Sequence, residues 1–196
     1  MVVAHDDFDP LVDLYGRWTT EYAEAYLPIP AAAPGTSYEC VDGYLIMSPY
    51  EGTANVHAAY QLHRVLERSA EDAGYRVYGT TNVVLAPNRW IQPDLVVLRT
   101  PIKALTWIPA DNVLLAAEMV SRSSRRRDRV DKPKLCADAG IPFYLRVEIS
   151  EYDAAVELLR LDGDKYVSQA RGFGGLMLRA DLPFPLEFDP VDLLEY

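Results

Sequence analysis

Val113-Leu114-Leu115-Ala116-Ala117-Glu118-Met119-Val120 is the stretch that decides the fold. Apart from Glu118 it is apolar without alternation, the pattern of a central strand covered on both faces. Leu95-Val96-Val97-Leu98, just after Pro93-Asp94, is a second such run. Beyond Glu118 comes an arginine-rich loop and a helix ending at Gly140, then a strand over Phe143 to Ile149. A hairpin of Ala155 to Leu161 with Lys165 to Gln169 turns at Asp162-Gly163.

On the N-terminal side, Tyr38 to Met47 alternates around Asp42-Gly43 and reads as a hairpin. Thr53 can cap a helix with an apolar face of Val56, Ala59, His63, Leu66, Ala70 and Ala73, closed by Gly74. Tyr75 to Leu85 and Ile91 to Leu98 read as strands joined by a Pro87-Asn88 turn. Phe8 to Ala25 carries a helical stripe, Leu11, Leu14, Tyr15, Trp18, Tyr22 and Ala25, and reads as a cover helix. The expected architecture is α/β, a mixed β-sheet flanked by helices, with residues 1–37 as cover helix and loop and residues 38–196 as one domain.

The chain has 196 residues, 49% hydrophobic and 24% charged, enough for one core without disulfide or metal staples. Its two cysteines, Cys40 and Cys136, suit reduced thiols in a cytoplasmic protein. No apolar run reaches the length of a membrane span, and Met1 to Asp13 lacks the basic start of a signal peptide. A net charge of -10 argues against a protein that coats nucleic acid through a broad basic surface. Yet Arg122 to Lys134 holds seven of the 19 basic residues and two acids, which makes it a focused anion site on an acidic body.

Asp94 opens one buried strand and Glu118 lies inside another. Two buried carboxylates persist together only if they share a proton, meet basic partners or bind a cation. A hard divalent ion such as Mg²⁺ or Mn²⁺ resolves the repulsion simply, and separate structural ion pairs are the alternative. On a helix, Asp128, Lys132, Leu135, Cys136 and Ala139 share one face, which aims Lys132 at the sheet edge near Glu118. The alternative for Lys132 is a surface pair with Asp128. Pro133 tolerates only a first helical turn, so the regular helix should begin between Asp128 and Pro133.

In order and spacing, several segments resemble the Uma2 family of restriction-endonuclease-like proteins. They are Tyr38-Glu39-Cys40-Val41-Asp42-Gly43-Tyr44-Leu45, Gln92-Pro93-Asp94-Leu95-Val96-Val97, Glu118-Met119-Val120-Ser121-Arg122-Ser123, Asp128 with Lys132, and Ala139-Gly140-Ile141-Pro142-Phe143-Tyr144, with His57 between the first two. The resemblance implies a PD-(D/E)xK nuclease fold, a metal-dependent phosphodiesterase site with Asp94 and Glu118 as the acidic pair, and self-association. In that superfamily a lysine commonly stands two residues after the second acid. Here that position is Val120, and Lys132 takes the displaced place that similar sequences show.

Glu39 can serve as a third metal carboxylate or as a strand-end ion pair. Arg122 and Arg126, within a loop that also holds Arg125, Arg127 and Arg129, suit substrate phosphate contacts, with a solvated loop as the alternative. His57 has no partner at metal or triad spacing and receives no chemistry. Gly172-Phe173-Gly174-Gly175 reads as a turn rather than a phosphate loop. The leading expectation is a Mg²⁺-dependent endonuclease acting on nucleic acid, DNA ahead of RNA, as a homodimer. The other readings are a non-catalytic nucleic-acid or protein-binding module and a structural dimerising domain.

Overall fold

The computed structural model describes residues 8–49, 51–121 and 124–194. Arg122 lies outside them. The chain begins with α1 (Pro10–Asp13) and α2 (Thr20–Tyr26), followed by β1 (Ser37–Val41), β2 (Tyr44–Ser48) and the long helix α3 (Thr53–Asp72). Short strands β3 (Arg76–Tyr78), β4 (Asn82–Ala86) and β5 (Arg89–Ile91) precede β6 (Leu95–Leu98), β7 (Trp107–Pro109) and β8 (Val113–Val120). A π-helical turn (Arg127–Asp131) leads into α4 (Lys132–Asp138). Strands β9 (Phe143–Ile149), β10 (Ala154–Asp162), β11 (Lys165–Phe173), β12 (Leu178–Ala180) and β13 (Leu186–Phe188) complete the fold.

Strand β8 is buried at every position and lies between β9 and β6 in a six-stranded sheet ordered β11-β10-β9-β8-β6-β3. It pairs parallel with β9 and antiparallel with β6, so the sheet is mixed. Side chains alternate across a strand, which sends Leu115, Ala117 and Met119 into the core with Leu62 and Leu66 of α3. Ala116 faces the other way, toward Cys136 of α4 and Tyr144 of β9. Helices therefore cover both faces, and Glu118, in step with Ala116, points to the α4 side.

A second sheet, ordered β2-β1-β5-β4-β7, carries Glu39. Its β1–β2 hairpin turns at Asp42 (φ 53°) and Gly43 (φ 84°), both in the left-handed region that a tight hairpin turn demands. Glycine is required twice over at position 43, since a Cβ there would stand 2.6 Å from the Gly16 carbonyl oxygen.

Several elements differ from their sequence reading. The N-terminal stripe forms two short helices instead of one, and Trp18 between them packs with Leu14, Cys40 and Trp90. Tyr75 to Leu85 divides into β3 and β4, and Ile91 to Leu98 into β5 and β6, because the chain crosses from one sheet to the other at each break. The buried face of α3 is Ala58, Leu62, Leu66 and Ala70, while Val56 is exposed, and the cap is Gly52 with Thr53 already the first helical residue. Regular α-helix starts at Lys132, inside the expected window, but the chain is already helical from Arg125. The wider π turn lets this longer helix accept Pro133 without an α-type bond to a proline nitrogen. Of the turn read over Gly172 to Gly175, Gly174 and Gly175 form it, while Gly172 and Phe173 are the last residues of β11. Among the described residues no helix is long and apolar enough to cross a membrane.

Candidate active site

The two sheets and α4 meet at a cavity of about 370 Å³ whose lining includes Glu39, Asp94, Glu118, Arg127, Asp128 and Lys132. The six side chains arrive from five places along the chain. Glu39 comes from β1, Glu118 from β8, and Asp94 from the Gln92-Pro93-Asp94 link by which the chain passes from β5 to β6. Arg127 and Asp128 come from the π turn, and Lys132 from the first residue of α4.

Lys132 is the hub. Its Nζ stands 2.6 Å from Glu118 Oε1, 3.0 Å from Glu39 Oε1 and 3.7 Å from Asp128 Oδ1. Burial works against the ammonium, but the three carboxylates outweigh it and raise the Lys132 pKa above its ordinary value. The same burial raises the carboxyls. Asp94 is pushed up to about 6, chiefly by desolvation and against the pull of the Met119 amide, which donates to Oδ2 at 2.7 Å, and of Lys132. Glu118 lies well above the carboxylate range, again through burial, with Asp94 and Asp128 adding repulsion against Lys132. Asp128 is raised by burial as well.

Glu39 is held from both sides. Its Oε1 accepts the Gln92 amide at 2.8 Å as well as Lys132, and its Oε2 lies 2.9 Å from an Arg127 nitrogen. Gln92 is fixed in turn, accepting the Tyr38 amide and donating to Asn82 Oδ1. Arg127 also donates to Ser48 Oγ at 3.0 Å. Buried Tyr144 supports the π turn by donating its hydroxyl to the Asp128 carbonyl at 3.1 Å.

Asp94, Glu118, Lys132 and Glu39 thus share one cavity. Arg126 does not line it: its side chain is exposed and stands 3.9 Å from Asp131. His57 contacts Gln61 and also lies outside the lining. Asp128 and Arg127 join the cavity lining although neither was among the expected metal or catalytic residues. Asp128 was legible as the residue four before Lys132 on one helical face. Arg127 was not, since five residues of α-helix turn it about 140° away from Lys132 and only the π turn closes that angle.

The donor set suits a hard cation. Five carboxylates, Glu39, Glu51, Asp94, Glu118 and Asp128, stand against two cationic side chains, and Asp128 Oδ1 is buried with no hydrogen-bond partner. No three His, Cys, Asp or Glu side chains among the described residues are spaced to clasp one ion together, however, and Glu39 has both oxygens engaged. Asp94 engages one oxygen with the Met119 amide, Glu118 engages one with Lys132, and Asp128 Oδ1 has no hydrogen-bond partner, so these three are less tied up than Glu39.

A mixed sheet covered by helices, with paired carboxylates and a lysine at its edge, defines the restriction-endonuclease-like class. The family model described as "Putative restriction endonuclease" matches residues 23–193, and the chain belongs to this family, Uma2. A solved structure described as a "putative nuclease belonging to DUF820", from Anabaena variabilis, aligns with a TM-score of 0.61 at 16% identity, over 87% of this chain and 95% of its own. That likeness is one of fold. A search of curated proteins found no match.

Proposed function

We propose that the protein is a divalent-metal-dependent nuclease that hydrolyses phosphodiester bonds, with Asp94 and Glu118 holding Mg²⁺ or Mn²⁺. The observation that carries this reading is the meeting of Asp94, Glu118 and Lys132 in one cavity with more carboxylate than cationic charge. Bound there, the ion would activate water and stabilise charge on the phosphoryl oxygens. Lys132 donates hydrogen bonds to the water or a phosphoryl oxygen; the carboxylates around it hold its proton, so it orients rather than deprotonates. Glu39 keeps Lys132 and Arg127 in place, and joins the metal set only by releasing one of them. Arg127 faces the reacting phosphate, and exposed Arg126 meets a phosphate farther along the strand, with Arg122 assigned the same role.

DNA is the proposed substrate, following the family's description. A homodimer is proposed through exposed Tyr15, Tyr22 and Tyr26 of the N-terminal segment, whose Trp18 is buried. The cytoplasm fits two buried, unpaired thiols. The test is hydrolysis of DNA and of RNA in Mg²⁺ or Mn²⁺. Cleavage that is lost with a chelator and in Asp94→Asn is expected, whereas salt-sensitive binding without hydrolysis would point to the non-catalytic module.

A further inference from the structure

A second cleft, about 500 Å³, lies beside α4 over the β9–β10–β11 face. Five cationic residues line it: Arg129, Lys134, Arg146, Lys165 and Arg171. Facing them are two carboxylates, Glu157 and Asp164. On a chain of net charge -10 such a concentration is unusual in sign.

The strand geometry builds this surface. Leu159 pairs with Ser168 but Leu158 pairs with Ala170, so Gln169 is an extra residue in β11. In a regular strand, Ser168 and Arg171 would face opposite sides; the bulge turns Arg171 onto the Ser168 side. Arg146, Glu157 and Arg171 then stand in register across three strands. Both guanidiniums contact Glu157, and they lower its pKa against burial, together with Ser168. Glu157 thus meets two cations on strands about 10 Å apart, while Glu148 also pairs with Arg146 and Arg129, and Asp138 with Lys134, outside the cleft lining. Lys165 makes no ion pair among the described residues.

The cleft also neighbours the active site through shared wall residues. Lys134 lines both it and a third cavity, and that third cavity shares Arg127 and Lys132 with the catalytic one. We propose that the second cleft binds the phosphodiester backbone of a nucleic-acid strand beyond the bond that is cut. The inference rests on a nucleic-acid substrate for the Asp94–Glu118 site. A backbone fits better than an acidic protein segment because its charge is regular and planar guanidiniums grip phosphate in two places.

The experiment is fluorescence anisotropy of a labelled 20-nucleotide strand with the full chain in EDTA across a salt series, so that binding is read without cleavage. Lys165→Glu with Arg171→Glu should weaken binding at least tenfold near 0.1 M salt. Replacing both cations by Gln should lower the slope of log affinity against log salt by about 1.4. Lys165→Glu alone, at a residue without an ion pair, covers the case in which loss of the Glu157 contact unfolds the double variant; it should weaken binding severalfold. In Mn²⁺, hydrolysis of a small diester too short to reach the cleft should stay unchanged in all three. Equal binding and salt slope in folded variants and wild type would overturn the cleft while leaving the nuclease reading intact. Cleft-dependent binding by a protein that hydrolyses nothing would support the cleft and overturn the nuclease reading. Displacement of the strand by polyglutamate as effectively as by unlabelled strand would overturn the choice of ligand.

Discussion

At the scale of single residues, the proposed roles separate holding an ion from orienting a reaction. Asp94→Asn and Glu118→Gln keep shape and remove charge, so Mn²⁺ affinity measured by calorimetry and cleavage should fall together, each by at least tenfold. Lys132→Met presents a different balance. Its ammonium touches Glu118 and Glu39 in a buried setting, and removing one partner of such a cluster leaves carboxylates uncompensated. The metal-free variant should therefore lose about 3–5 kcal/mol in urea unfolding. Mn²⁺ binding should persist, because an ammonium is no metal ligand, while turnover slows markedly. Turnover equal to wild type at saturating substrate and metal would remove Lys132 from the chemistry. Asp94, Glu118 and Lys132 were legible in the sequence because a charge inside an apolar strand, or on the apolar face of a helix, needs a partner. The meeting of Glu39 with Lys132 and Arg127 was not, since it depends on how two sheets are set against each other.

At the scale of elements, the site rests on two local devices that hydrophobic patterning does not encode. One is the Asp42-Gly43 turn, which sets the register that carries Glu39 inward. The turn itself was readable from its dipeptide; the tight approach to Gly16 was not, because that contact is long-range. Gly43→Ala should cost more than about 1 kcal/mol, since the new methyl meets a carbonyl and the backbone is left-handed. The other device is the π turn. Its Asp128 carbonyl takes the buried Tyr144 hydroxyl, so Tyr144→Phe should cost about 1–3 kcal/mol in urea unfolding, the range for a buried acceptor left unpaired. A loss near zero would mean that the turn holds itself. Strand breaks at Gly79 to Thr81 and at Gln92 to Asp94 were missed because periodicity continues through a point where the chain merely changes sheets.

At the scale of the whole molecule, the cavity joins both sheets to α4, so the charge state of its carboxylates bears on global stability. Asp94 has an ordinary pKa of 3.8, raised to about 6 in the folded protein, and Glu118 and Asp128 shift the same way. Between those values the folded state binds more protons than the unfolded state, so the Asp94 contribution is full below about pH 4 and fades as pH rises through 6. Other groups titrate in this range, so Asp94→Asn, which cannot ionise, is the reference. The stability of metal-free wild type relative to Asp94→Asn should fall from pH 4 to pH 7. A divalent ion selects the ionised carboxylates, and its stabilisation should therefore grow over the same interval. At a hundredfold excess over Kd at pH 7 it should reach about 2.7 kcal/mol, or about 5–10 °C in Tm. Calorimetric scans of both proteins with and without Mn²⁺ at pH 5 and pH 7 measure this directly. A wild-type Tm gain from Mn²⁺ that is no larger at pH 7 than at pH 5, or one that Asp94→Asn shares in full, would mean that the ion binds away from these carboxylates.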